Sequence, residues 1–171
     1  MRVLLVGSPG RTPFCGHFRG SVRQGDAELC WAGRLRGAGS PEEGWAAAEQ
    51  ARSALEDVAT GLPGADRFAL IDAAWAALRS LDHRDLSVLI AARDRGGVSL
   101  AGCGLEAVYT GGAPLVEAGH PLLGEPGIPE RTGYCQFEGG ERDRASGDLV
   151  GVPVGARYPA GDLAAACGVR A

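Results

Sequence analysis

The chain has 171 residues, of which 45% are hydrophobic and 22% charged, and its formal net charge is −4 with a pI of about 5.4. Its length and composition predict one globular domain over residues 1–171, large enough to bury a proper core. The acidic balance argues against a nucleic-acid partner, since phosphate contacts require a basic surface. No apolar stretch approaches the length that a membrane span needs, so we expect no membrane partner.

The types of basic and sulfur-containing residue narrow the chemistry. All 17 lysine-plus-arginine positions are arginines, which excludes a P-loop lysine, a Schiff-base lysine and a Ser-Lys dyad. The five cysteines are odd in number and widely spaced, so no disulfide framework is indicated. The apolar run near the N-terminus is too short for a secretory signal core. We therefore expect a reducing, cytoplasmic setting.

The first elements are strands separated by glycine-rich segments. Arg2–Val6 has the apolar character of a short buried strand, and residues 11–25 are rich in turn-forming residues. The segment AELCWAG predicts a short strand that ends at Gly33. A basic glycine loop, GRLRGAGS, then leads to the first helix.

Two consecutive helices follow. Ser40 is the predicted N-cap of the first, with Pro41 at the first helical position and Glu43 completing a capping box. Gly61 ends this helix, and a second begins after Asp66. Helical spacing predicts that the apolar faces consist of Trp45, Ala48, Ala51, Leu55, Val58 and Ala59 in the first helix and of Phe68, Ile71, Trp75, Leu78 and Leu81 in the second.

An antiparallel meander comes next. Leu86–Arg93 is a predicted strand, DRGG a hairpin turn, and a second strand starts at Val98. The segment TGGAP turns into a short strand at Leu115–Ala118, residues 119–133 are a predicted loop, and YCQF and DLVGVPV are further strands. Residues 160–171 fit either a helix or a strand. Strands segregated from helices predict an α+β fold, a sandwich of mostly antiparallel sheets with two consecutive helices on one face.

Three partial motifs lack the context that their usual chemistry requires. Gly102–Ala107 fits the dinucleotide pattern G-x-G-x-x-A, but too few residues follow for the helix of a βαβ unit. Ser99 lies in a sequence close to a nucleophile elbow, and again no helix follows. Cys15 and His17 form the only close Cys/His pair in the sequence, and no second pair completes a zinc site. We therefore predict no bound metal and no cofactor.

Two other groups of residues leave alternatives open. Cys30 or Cys103 is a candidate reactive thiol, although most buried free cysteines act as small apolar residues. Arg23, Arg34 and Arg36 are candidates for an anion-binding site, because a guanidinium makes bidentate contacts with phosphate. Solvated loop arginines would explain the same pattern.

The order of the segments resembles PPM-type metal-dependent serine/threonine phosphatases. Gly20–Glu28, GSVRQGDAE, is similar to the family motif G-x-V-R-x-x-N-E-D, and CWAGRLRG followed by SPEEGWAAAEQA is similar to D-G-x-G-G and its helix. GLEAVY stands where the family hairpin carries G-D-S-R-x-Y, and the resemblance covers roughly residues 16–123. It implies an αββα sandwich in which acidic side chains at strand ends hold two metal ions between the sheets.

The departures from the family pattern fall on the acidic positions. Gly33 stands where the resemblance implies a metal-binding aspartate, while Leu105 and Ala107 replace the aspartate and the arginine of G-D-S-R. Asp26 and Glu28 are residual acidic positions. Two divalent cations held close together need several carboxylates, and the arginines after Gly33 make this region still less favourable for cations.

We therefore predict a truncated, catalytically silent PPM-like domain that acts in protein recognition or regulation. One alternative is a hydrolase on the same sandwich that uses a cysteine or a residual metal site. Another is a phosphate- or nucleotide-binding module without turnover. The expected partner is another protein, and an oligomer or a partner strand that completes a sheet fits the same pattern.

Overall fold

The computed structural model describes residues 1–6, 15–36, 40–81, 85–124, 134–156 and 160–166. Within them the strands are β1 (Val3–Leu5), β2 (Cys15–Gln24), β3 (Ala27–Arg36), β4 (Leu86–Arg93), β5 (Gly97–Cys103), β6 (Leu105–Thr110), β7 (Ala113–Pro114), β8 (Tyr134–Glu138) and β9 (Leu149–Pro153). The helices are α1 (Pro41–Gly61), α2 (Arg67–Arg79) and α3 (Ala160–Ala166), and a 3-10 helix covers Gly139–Ala145.

Two β-sheets face each other. The five-stranded sheet has the order β2-β3-β4-β5-β8, with antiparallel neighbours throughout. The four-stranded sheet has the order β1-β9-β6-β7, in which the β1–β9 pair is parallel and the other pairs are antiparallel. Side chains from both sheets, among them Val3, Ala32, Leu89 and Leu100, form one apolar cluster between them. The predicted α+β sandwich of mostly antiparallel sheets is confirmed.

Helices cover the outer faces of both sheets. α1 and α2 pack on the five-stranded sheet, where Trp31 of β3 shares an apolar cluster with Leu55 and Trp75. α3 lies against the four-stranded sheet, where Leu163 packs on a cluster that contains Val150. The layers therefore follow the order α-β-β-α, and the segment that the sequence left open between helix and strand begins as a helix.

Residues of β3 alternate between two cores. Leu29, Trp31 and Leu35 belong to the core under the helices, whereas Cys30 and Ala32 belong to the core between the sheets. Odd-numbered β3 residues thus face the helices and even-numbered ones face the other sheet, as the two-residue period of a strand requires. This alternation decides which side chains reach the space between the sheets.

β2 corrects the prediction that residues 11–25 are turn-rich, because a ten-residue strand occupies Cys15–Gln24. Its glycines serve close packing instead of turns. A Cβ atom on Gly16 would lie 2.0 Å from the carbonyl oxygen of Gly44 in α1, and one on Gly20 would lie 2.5 Å from the Trp31 ring. The signal was present in the alternation of the sequence, where small or apolar residues at even positions face α1.

The N-cap prediction is confirmed for α1 and the start of α2 after Asp66 is also confirmed, but the predicted apolar faces of both helices are corrected in the first turn. Ser40 Oγ accepts a hydrogen bond from the Glu43 N–H at 3.2 Å, and Asp66 caps α2 in the same way. Trp45 and Phe68, which helical spacing assigned to the core, are 63% and 41% exposed. In α1 the buried residue of this turn is Gly44, whose carbonyl oxygen leaves no room for a side chain on Gly16 of β2.

The segment after the β4–β5 hairpin changes sheet. The sequence predicted one strand from Val98 onward, but β5 ends in one sheet and β6 begins in the other, with Gly104 at φ +64° between them. The predicted strand at Leu115–Ala118 is also wrong, because β7 covers only the two residues before it. Leu115 instead donates its N–H to the Val108 carbonyl at 2.8 Å as the chain leaves the sheet edge.

Candidate functional site

The candidate site is the cleft between the sheets at the end of β3, where the resemblance implies a metal centre. Arg34 is an even-numbered β3 residue and therefore faces the four-stranded sheet. It is only 4% exposed, and its Nη2 donates to the Val154 carbonyl at the end of β9, at 3.4 Å. Across the five-stranded sheet it lies opposite His17 of β2. A buried guanidinium thus bridges the two sheets at this point.

Gly33 does not face the cleft, although it stands where the family resemblance implies a metal-binding aspartate. A Cβ atom on Gly33 would lie 2.2 Å from the Phe18 ring, and Phe18 belongs to the core under the helices. The residue that presents a side chain to the cleft at this level is therefore the next one, Arg34. β3 also continues three residues beyond Gly33, where the sequence predicted a loop.

Leu105 and Ala107, which replace the acid and the arginine of the family hairpin, lie on different faces of β6. Leu105 is completely buried in the core between the sheets. Ala107 packs instead against the cluster on the outer face, beneath α3. A β-bulge between these two positions changes the alternation of the strand. The GLEAVY segment thus contributes an aliphatic side chain to the space between the sheets.

The residual acidic residues lie far from Arg34. Glu28 is six positions away on β3 (residue 28 against residue 34), about 20 Å at the rise of an extended strand. Its carboxylate is 2.6 Å from the Arg93 guanidinium, and Asp26 is 3.0 Å from Arg95. Both acids therefore pair with arginines at the hairpin end of the sheet.

These side chains do not fit the two-metal centre that the resemblance implies. Divalent cations such as Mg²⁺ and Mn²⁺ require carboxylate, carbonyl or water oxygens. The cleft presents instead the Arg34 cation and the aliphatic Leu105 side chain. Among the described residues, no group of three or more His, Cys, Asp or Glu side chains is placed to hold a metal ion. The buried guanidinium is positively charged and therefore repels a metal cation.

The structure separates the three arginines that the sequence grouped as an anion site. Arg23 lies opposite Glu28 at the β2–β3 hairpin end, whereas Arg34 is at the far end of β3. The backbone of Arg36 pairs with that of Cys15, and the Arg36 side chain lies outside the described part of the structure. Arg23 lines a cavity of about 380 Å³ whose other arginines sequence reasoning missed, namely Arg93, Arg95 and Arg142.

The two candidate thiols lie on opposite faces of the five-stranded sheet. Cys30 faces the other sheet, and Cys103 belongs to the core under the helices, where its Sγ donates to the Leu86 carbonyl at 3.4 Å. Burial, reinforced by the negative charge of Glu28, raises the pKa of Cys30 to about 12. Because the thiolate is the nucleophile, this environment disfavours a catalytic role for Cys30.

Of the Cys15/His17 pair, only the His17 side chain lies in the described part of the structure. Partial burial, together with the neighbouring Arg34 charge, lowers the pKa of His17 below its ordinary value. The imidazole is therefore predominantly neutral at pH 7. The Cys15 side chain lies outside the described residues.

Comparisons with known proteins identify solved structures that share this fold. No family model and no curated protein matches the chain. The structure of the RsbU and RsbW domains of Rv1364c from Mycobacterium tuberculosis matches 80% of this chain at 17% identity with a TM-score of 0.50, and this chain spans 39% of that one. The SiaA-PP2C domain of Pseudomonas aeruginosa matches 72% of this chain and 49% of its own at 20% identity, with a TM-score of 0.48.

A structure of RsbX in complex with magnesium matches 78% of this chain and 64% of its own, at 12% identity with a TM-score of 0.45. The Mycobacterium tuberculosis structure contains a PPM-type phosphatase domain and matches at a TM-score of 0.50, so the resemblance noted in the sequence is confirmed for the fold. At such identities the likeness concerns the fold alone.

None of the described helices combines the length and the apolar character that crossing a membrane demands.

Proposed function

We propose that this chain is a catalytically silent domain of the PPM-type phosphatase fold that acts in protein recognition or regulation. The observation that carries the proposal is the buried Arg34, which bridges the two sheets where the family resemblance implies carboxylates. Residues 1–171 would form one such domain, and its setting would be the cytoplasm.

Electrostatics support the silent cleft. Two unit charges 4 Å apart interact by about 4 kcal/mol at an effective dielectric constant near 20. The repulsion between a guanidinium and a divalent cation at that distance is twice as large, because the cation carries two charges. Leu105 offers no oxygen that could offset this cost. The carboxylates of Asp26 and Glu28 lie at the hairpin end of β3 in ion pairs, where they do not reach the cleft.

Recognition is supported by an exposed polar face of β2. The side chains of His17, Arg19, Ser21 and Arg23 share the face of β2 that points toward the four-stranded sheet, yet all four residues are exposed. β1, the outer strand of that sheet, contacts β3 and β4. The polar row of β2, meaning these four residues, therefore forms a basic surface suited to an acidic face of another protein.

One comparison is compatible with this role. The Mycobacterium tuberculosis protein whose structure matches this fold carries an RsbU and an RsbW domain in the same protein. The phosphatase-like fold there occurs beside a second domain. By analogy, we propose that the present chain also works next to a protein partner.

Turnover of p-nitrophenyl phosphate with Mn²⁺ or Mg²⁺ tests the silent cleft. We expect no hydrolysis above the rate of metal ions alone, and calorimetry should detect no tight binding of Mn²⁺. Metal-dependent turnover that Glu28→Ala abolishes, in a variant whose circular dichroism is unchanged, would overturn the proposal. Ala107→Ser is the control for that variant, because Ala107 packs on the outer face of β6.

Charge reversal on the polar row tests recognition. A protein that co-purifies with the chain is identified, purified and titrated against wild type and against Arg19→Glu. We expect the variant to weaken binding about tenfold or more, because a repulsive charge replaces an attractive one. Arg52→Glu on α1, which reverses a half-buried charge on a different element, should leave the affinity unchanged. Equal affinities of wild type and Arg19→Glu would exclude the polar row as the recognition surface.

The cysteine hydrolase remains the weaker alternative. Cys30 is held in the protonated form, and Cys103 is buried on the opposite face of the same sheet. Neither thiol therefore lies in an electropositive, solvent-accessible position of the kind that activates cysteines.

A further inference from the structure

A basic cavity lies at the end of the five-stranded sheet opposite the cleft, where the β2–β3 and β4–β5 hairpins turn. Its volume is about 380 Å³, and its lining includes four arginines, two aspartates, Val98 and Ser146. We propose that this cavity, which we call the hairpin pocket, binds a doubly charged oxyanion of the phosphate or phosphomonoester class. The arginines that line it are Arg23, Arg93, Arg95 and Arg142.

The lining carries more positive charge than its own acids neutralise. Asp94 is already engaged, because it accepts hydrogen bonds from Arg67 and from the N–H groups of Gly96 and Gly97. Within the described part of the chain, Arg23 has no carboxylate at ion-pair distance. Arg142 donates one N–H to a backbone carbonyl at 2.8 Å, so this contact leaves its charge uncompensated.

The other two arginines differ in how firmly they are held. Arg93 pairs with the largely buried Glu28, and this contact keeps its guanidinium in place on β4. Arg95 pairs with Asp26, but both side chains are well exposed, at 84% and 64%. Exposed ion pairs contribute little to stability, so Arg95 can exchange this partner for a ligand at little cost.

A tetrahedral dianion matches this arrangement better than a single carboxylate does. A guanidinium presents N–H groups in a planar fork that binds two oxygens at once, and several forks can share one phosphate. Phosphate is also small relative to the cavity volume, so there is room for an organic group attached to one of its oxygens. The hydroxyl of Ser146 also lines the cavity, and it donates its hydrogen to the Asp143 carbonyl at 2.9 Å.

The hairpin pocket is separate from the silent cleft and overlaps the polar row at one residue only. It shares Arg23 with that row, but its other arginines come from β4, the β4–β5 turn and the 3-10 helix. It also differs from the grouping of Arg23, Arg34 and Arg36 that the sequence indicated. A ligand here would lie about 20 Å along β3 from Arg34.

Calorimetric titration of the full chain with inorganic phosphate and with phenyl phosphate, at constant ionic strength, tests the proposal. We expect saturable binding by wild type and at least a tenfold loss of affinity in Arg23→Gln/Arg142→Gln. Arg144→Gln is the matched control, because it removes an exposed arginine from the same 3-10 helix as Arg142 but outside the pocket. Its affinity should equal that of wild type.

If the double variant does not fold, Ser146→Asp provides a second test, since it adds a negative charge to the lining and keeps every arginine. It should reduce the affinity to a similar extent. Tighter binding of phenyl phosphate than of phosphate would identify an esterified ligand, and equal affinities would identify the free anion. Absence of saturable binding in wild type, unchanged affinity in the double variant and in Ser146→Asp, or an equal loss in Arg144→Gln would each overturn the proposal.

Discussion

Arg67, the first residue of α2, binds Asp94 in the β4–β5 turn through both its side chain and its backbone. Its Nη1 lies 2.9 Å from one carboxylate oxygen, and its N–H donates to the other at 3.1 Å. The Arg67 side chain is only 5% exposed and also pairs with Glu138 at the end of β8. One arginine thereby connects a helix, a hairpin and the edge strand of the five-stranded sheet.

Replacing Arg67 by Ala should destabilise the fold by about 3 kcal/mol, because it leaves the partly buried Asp94 carboxylate without its cation. Urea unfolding followed by circular dichroism measures the change. The control is Arg144→Ala, which removes an exposed ion pair with Glu141 and should change stability by less than about 1 kcal/mol. Similar effects of the two variants would contradict a structural role for Arg67.

The same contact predicts an acid-sensitive component of stability. Burial alone would raise the pKa of Asp94, but hydrogen bonds from Arg67 and Gly96 outweigh it and lower the pKa below its ordinary value. A carboxyl with a depressed folded-state pKa contributes stability that is fully present above its unfolded pKa, about 3.9 for Asp. That contribution is lost as the pH falls through the lower, folded-state value.

Asp94→Asn should therefore cost stability at pH 7 and cost progressively less below about pH 4. Urea unfolding of wild type and variant across pH 2–7 measures the difference. Asp57→Asn, on the exposed side of α1, is the control for an Asp→Asn change at the surface and should alter stability little. A constant difference between wild type and Asp94→Asn over this range would contradict the role of the ionised carboxylate.

The same Gly→Ala substitution should have different effects on stability in β2 and at the end of α1. Gly16→Ala places a methyl group against the backbone of Gly44 and should destabilise the protein by roughly 1–3 kcal/mol through overpacking. Gly61→Ala, at the last residue of α1, meets no atom within 4 Å and should be neutral or slightly stabilising. Thermal unfolding of both variants measures this, and equal melting temperatures would contradict the close approach of β2 and α1.

The buried thiols predict slow alkylation. With a pKa of about 12 and almost no exposure, Cys30 should react with iodoacetamide at pH 8 far more slowly in the folded chain than in urea. Cys103 should behave in the same way because it is buried. Peptide-resolved mass spectrometry measures each site. A single thiol that reacts rapidly in the folded chain would instead support the cysteine hydrolase.

Much of the fold could be predicted because local signals agreed with it. Ser40 and Asp66 are helix caps whose chemistry is local, and the β4–β5 hairpin follows from its turn residues. The sequence does not predict β2, because Gly16 and Gly20 are typical of turns, whereas in the structure their absent side chains make room for α1 and Trp31. Such close packing depends on a distant element, which local sequence reasoning does not see.

The candidate site was harder to predict because it depends on register. A shift of one residue moves a side chain to the opposite face of a strand, and this separates Gly33, which faces Phe18, from Arg34, which faces the cleft. The hairpin pocket depends on two hairpins and a 3-10 helix meeting, and neither the spacing nor the composition of their sequences indicates that they meet.

Gly104 joins the two layers through a single residue, so β5 of one sheet continues directly into β6 of the other. Because no loop lies between these two strands, one sheet cannot move away from the other without distorting the connection. The sandwich should therefore unfold as one cooperative unit, with the amides of Leu100 and Val108 exchanging through the same global opening.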